Sequence, residues 1–144
     1  MADLFSIETA GVMSRPVIKP ASGAYGGRMR RYRATVTLAA QATTDNILLA
    51  QLPGGSYFAF GVLVASATLG TSVIAIGTNK VHASNGQYRA AAVYTAVDTP
   101  TFFGLTAAMA GAALSGDTNV YMTIATAALP GAGTLVADIY ATNA

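Results

Sequence analysis

The chain has 144 residues, 53% of them hydrophobic and only 10% charged, against about 25% charged in an ordinary soluble domain. It contains no cysteine, no tryptophan and one histidine, which excludes a disulfide framework and a Cys/His zinc site. Its length suits one domain with a core of its own.

Scarce charge does not mean disorder here, because disordered chains are polar and poor in β-branched residues, and this one is rich in Ala, Thr, Val and Gly. Charge keeps small domains apart in solution, so so few charges predict an assembled protein, a homo-oligomer, whose surface is largely covered. The alternative is a monomer with a Thr, Ser, Asn and Gly surface. The charge is also unevenly placed. Residues 1–33 carry a net +4, and residues 34–144 a net −2. That asymmetry describes a basic arm on a near-neutral body.

Residues 1–31 read as the arm and residues 32–144 as the folded domain. "MADLFSIETAGVM" has no basic leader and no long apolar stretch, so it is not read as a secretory signal. Leu4–Thr9 offers one short helix. "SRPVIKPASGAYGG" follows, with Arg15 and Lys19 each before a proline and therefore extended. The arm shows no periodic apolar stripe and should lie across something else. "GGRMRRYRA" then concentrates Arg28, Arg30, Arg31 and Arg33, half of the chain's basic residues.

From Tyr32 the period becomes two. In "YRATVTLAA", Tyr32, Ala34, Val36 and Leu38 share one face, while Arg33, Thr35 and Thr37 share the other. "ATTDN" is a turn, "ILLAQL" a strand and "PGG" a second turn. "SYFAFGVLVASA" is a long core strand in which Gly61 marks a bulge or a close backbone approach. "TSVIAIGT" is apolar or small on both faces and should be covered on both. Tyr57 to Gly77 is long enough to span a bilayer and carries no charge. Its β-branched and aromatic residues, with "ATLGT" as a turn, predict two strands instead.

"NKVHASNGQ" is a polar loop with a tight turn at Asn85-Gly86, and His82 within it reads as a solvated residue. "YRAAAV" fits a helical turn or a small-residue strand. "TPTFFGL" is extended, and "TAAMAGAALSGDTN" is a loop or short helix. "VYMTIATAAL" and "TLVADIYAT" are strands, and "PGAG" between them predicts a closing hairpin. Seven or eight short strands with frequent turns make the chain all-β: an antiparallel, jelly-roll-like β-sandwich with an extended N-terminal arm.

Catalytic chemistry is not visible. No two acidic residues are adjacent, and Asp45, Asp98 and Asp117 sit in turn sequences, where Asp serves the local backbone. No nucleophile elbow, phosphate loop, dinucleotide fingerprint or EF-hand is present. No enzyme activity and no cofactor are therefore expected.

The runs "TVTLAAQATTDNILLAQLPGGSYFAFGVLVASATLGTSVIAIGT", "GQYRAAAVYTAVDTPTFFG" and "VYMTIATAALPGAGTLVADIYAT" resemble the small Ala/Thr/Gly-rich virion proteins of tailed bacteriophages, in particular head decoration, or cement, proteins. The resemblance covers roughly residues 32–142 and rests on texture. It implies a β-sandwich on the outside of a capsid, often a trimer between capsomers, with an arm over the capsid subunits. The expected partners are the major capsid protein and further copies of the chain, in the virion, with neither nucleic acid nor membrane. The residues expected to bind the capsid are Arg15, Lys19, Arg28, Arg30, Arg31 and Arg33, an assignment made from charge and composition.

Three other readings stand beside it. One is a tail, baseplate or head-fibre component. Another is a carbohydrate-binding or adhesin module, with Tyr57, Phe58, Phe60 and Tyr94 as candidate platforms. The last is a nucleic-acid binder, which would need basic residues spread over a surface, whereas only Lys80 and Arg89 lie beyond residue 33.

Overall fold

In the computed structural model, residues 13, 15–17 and 26–142 are described. The short helix expected at Leu4–Thr9 and most of the arm, Lys19 included, lie outside them. Eight strands dominate: β1 (Met29–Thr37), β2 (Asn46–Leu52), β3 (Tyr57–Ala65), β4 (Val73–Gly77), β5 (Arg89–Val93), β6 (Thr101–Phe103), β7 (Thr118–Ala125) and β8 (Thr134–Thr142). A 3₁₀ turn at His82–Ser84 and one turn of helix, α1 (Thr106–Met109), complete the set among the described residues.

The strands form two four-stranded sheets, β1-β8-β3-β6 and β2-β7-β4-β5, here the first and second sheets. β1 pairs with β8, β2 with β7, β3 with β6 and β4 with β5, all antiparallel. Those pairs are the rungs of one long ribbon folded back at the β4–β5 connection. Successive rungs fall in alternate sheets, and the β8–β3 and β7–β4 ladders close each sheet. The result is a β-sandwich, as the strand pattern predicts, in the jelly-roll arrangement.

Period-two alternation builds the core. From the first sheet, Val36, Leu63, Leu135, Ala137 and Ile139 face inward; from the second come Leu52, Ile74, Ile76, Val120, Met122 and Ile124. β1 begins at Met29, three residues before the change of period at Tyr32, and keeps the expected faces: Val36 is buried while Arg33, Thr35 and Thr37 are exposed. "RAAAV" resolves as strand β5. Tyr57–Gly77 makes two strands in opposite sheets. Among the described residues no helix is long and apolar enough to cross a membrane.

Gly61 accommodates a close approach. A Cβ there would overlap the ring of Phe103, its partner on β6, so the residue lets an aromatic ring approach the backbone closely. The irregularity of β3 falls instead between Phe58 and Phe60.

Two expectations are corrected. β7 and β8 do not form a hairpin, because they are central strands of different sheets. Their connection crosses the end of the sandwich. Leu129 is buried there, with its N–H bonded to Gln41 O, while Ser72 Oγ donates to Ala127 O and Ala128 O. Nor is His82 a solvated loop residue. It is half-buried, with Nδ1 3.0 Å from Thr123 Oγ1.

That contact belongs to a plug over the second sheet. Asn85 Nδ2 lies within 3.2 Å of Ala75 O, Tyr121 O and Thr123 Oγ1. Gly77 leaves room for the plug, since a Cβ would overlap the side chains of Gln87 and Asn85. β4 is thus covered on both faces, as its two apolar sets predict.

Candidate interaction surface

The outer face of the first sheet, opposite the core, is read directly from register. One row across the four strands runs Phe102, Val62, Asp138, Arg33. The adjacent row runs Phe60, Tyr140, Arg31. The face is therefore aromatic toward β6 and basic toward β1. Phe60 stacks on Tyr140 with ring centroids 4.7 Å apart and meets Phe102 at 5.6 Å, tilted, geometries favoured by the ring quadrupoles. Phe102 is nevertheless 73% exposed and Met109 52%. With Phe60, Phe103 and Gly104 they wall a concavity of about 380 Å³.

Among the described residues of the expected binding set, those on β1 are divided between the two faces of the strand. Arg15 is exposed and precedes a cis proline, Pro16; Lys19 lies outside the described residues. Arg28 is exposed just before β1. Arg30 is exposed opposite Ala141, on the inward side of the sheet, whereas Arg31 and Arg33 are on the outer face. Arg33 is engaged within the chain. Its Nε and Nη2 donate to the two carboxylate oxygens of Asp138, each at 2.9 Å, the bidentate geometry that makes such pairs directional. The hydrogen bond from Arg33 holds the Asp138 carboxyl below the ordinary carboxylate range. Burial opposes this, and the charges of Arg33 and Arg31 add to it.

The remaining basic side chains are also employed. Arg89 donates to Ile74 O, Ala92 O and Val93 O, satisfying carbonyls where the β4–β5 ladder is irregular. Lys80 Nζ lies 5.4 Å from the centroid of the Tyr121 ring, within cation–π range. Among the described residues beyond β1, both basic side chains thus make contacts within the chain.

Of the aromatic residues that a glycan platform would use, Phe58 and Tyr94 are buried. Phe58 stacks on Tyr88 at 4.1 Å, and Tyr94 Oη donates to Leu63 O and Thr99 O. Tyr57 and Phe60 are half-buried on the outer face. Sequence reasoning passed over Phe102, although the signal was present. Adjacent aromatics in a strand point to opposite faces, so one of Phe102 and Phe103 had to face out.

Two of the three turn carboxylates, Asp45 and Asp117, serve the backbone. Asp45 accepts from Ala42 N–H, and Asp117 from Gly54 N–H on a distant turn. Among the described residues no three His, Cys, Asp or Glu side chains gather where a metal ion would sit.

No protein-family model and no curated protein matches the chain. Solved structures do. The chain is similar to one in the cyanophage Pam1 capsid asymmetric unit, with a TM-score of 0.63 and 18% identity over 87% of this chain and 91% of that one. It is similar to one in the capsid of Ralstonia phage GP4, with a TM-score of 0.61 and 16% identity over 82% and 84%. A third likeness is to a chain in the acid-stable capsid structure of Helicobacter pylori bacteriophage KHP30, with a TM-score of 0.58 and 12% identity over 79% and 86%. At these identities the likeness establishes a shared fold: the sandwich described above is one that also occurs in the capsids of three phages.

Proposed function

We propose that the chain is a structural protein of a phage virion and, within the virion, a head decoration protein. It docks on the outside of the shell through its basic N-terminal segment and the β1 edge. Its partners are the major capsid protein and further copies of itself. The observation that carries this reading is a shared fold, over 79–87% of the chain, with chains of three phage capsids. Each likeness covers similar shares of both chains, so the matched chains are small and about as long as this one.

The chemistry of the surface supports the reading. Arginines seek carboxylates with forked geometry, and Arg28, Arg30 and Arg31 are exposed beside the N-terminal segment. A nucleic-acid surface would need basic residues over a broad face, yet Arg89 is turned to backbone carbonyls and Lys80 to an aromatic ring. A protein that binds only the assembled shell stabilises it by mass action. A contact of about 1,200–2,000 Å² is enough for specific attachment.

Removing residues 1–25 tests the docking mode, because β1 starts at Met29 and stays whole. Binding of the truncated chain to isolated shells lacking this protein is expected to weaken about tenfold or more, the loss of one well-seated contact. Undiminished binding would remove the segment from the account.

A further inference from the structure

We propose that the β6–α1 flank is the surface through which copies of this chain meet one another. The inference deepens the multimeric part of the proposed function and rests on it.

The flank is neutral and apolar. No charged residue occurs from Thr99 to Gly116, the segment that holds β6, α1 and the turn beyond. Within it Phe102, Leu105 and Met109 are exposed, and Phe102 and Met109 line the concavity against Phe60. Large exposed apolar groups that cluster, rather than scatter, mark interaction sites. Interface cores are depleted in charge and enriched in aromatic residues and methionine, which describes this flank.

Charge selects the occupant. A surface that meets its own copy must be self-complementary. The opposite edge of the first sheet, β1, carries Arg30 and Arg31 with Arg28 beside it, while Arg33 is balanced by Asp138. Two such edges would repel, while they suit an acidic partner. The outer face of the second sheet is partly covered by the plug around Asn85. The neutral flank meets its own copy without charge repulsion, and it also covers Phe102, the most exposed aromatic among the described residues. Pro100 directly precedes the three-residue strand β6 and removes one N–H from this short edge, which disfavours extension of the sheet. The contact is therefore one of side chains, Phe102 of one copy seated on the Phe60/Met109 concavity of another.

The test is the mass of the full chain in solution, measured over a range of concentrations by native mass spectrometry or light scattering. The wild type is expected to form a discrete oligomer. Phe102→Gln, checked for its fold by circular dichroism, is expected to raise the dissociation constant about 30-fold or more, as for a central aromatic anchor. Leu48→Gln, at an exposed site on the second sheet, is expected to leave it unchanged. Because the chain has no cysteine, Phe102→Cys gives a second readout: oxidation should link two copies, whereas Leu48→Cys should not. A wild type that stays monomeric, or a Phe102→Gln variant that assembles as tightly as wild type, overturns the proposal. So does a monomeric wild type whose shell binding depends on Phe102, since the flank would then dock on the shell. Oligomerisation is read without shells, so failure to bind shells would count against the decoration reading alone.

Discussion

Asp138 joins β8 to Arg33 of β1 across 105 residues of sequence. Its side chain is only 10% exposed, so removing the carboxylate charge weakens the acceptor of a directed pair. Asp138→Asn is expected to lower stability at neutral pH. The pH dependence has a definite sign. The folded-state pKa of Asp138 is depressed, so its contribution is complete above the ordinary carboxylate value of about 3.9. It is lost as pH falls through the depressed value. The difference in denaturation midpoint between wild type and Asp138→Asn should therefore shrink as the pH drops below about 4. An equal difference at neutral and strongly acidic pH would contradict this role. The outward position of Arg33 was legible in the alternation from Tyr32 to Leu38. Its partner was not, because period two assigns a face to a residue but does not say which strand lies beside it.

At the scale of elements, the plug around Asn85 shows how a polar loop covers a sheet without burying unpaired groups. Asn85→Ala removes the amide that faces Ala75 O, Tyr121 O and Thr123 Oγ1. It is expected to cost about 1–3 kcal/mol, measured by denaturant unfolding, with faster amide exchange across residues 79–87. Unchanged stability and exchange would show the plug to be ornamental to the fold. The double coverage of β4 was readable from "SVIAIG", whose two faces are both apolar or small. The cover itself was not, since "NKVHASNGQ" looks like any solvated turn. The false hairpin at β7 and β8 has a related cause. Two alternating strands joined by "PGAG" present the same pattern whether they pair or cross to opposite sheets. Buried Leu129 in the connection distinguishes the two cases, and only in three dimensions. "RAAAV" was ambiguous because alanine suits helices and also fills a strand's free edge.

For the whole molecule, the all-β class and the sandwich were legible because turn residues punctuate short apolar runs at regular intervals. The rolled-ribbon topology lies in long-range pairings that no local pattern records. The interaction surface was half legible. The arginine cluster stood out as composition, but its division into an ion-paired Arg33, an outer Arg31 and an inward-side Arg30 needed the β1–β8 register. The aromatic flank at Phe102 emerged only when the free edge of the first sheet was located. The first sheet has two chemically different edges, basic at β1 and neutral and aromatic at β6. The claim that unites them is attachment to the outside of a phage head. The most direct measurement is electron microscopy of isolated shells lacking this protein, imaged before and after adding the purified chain. The account predicts new density on the outer surface at sites between capsomers, with the N-terminal segment against the shell. Bare shells after incubation, or the chain found instead on a tail, baseplate or fibre, would contradict it.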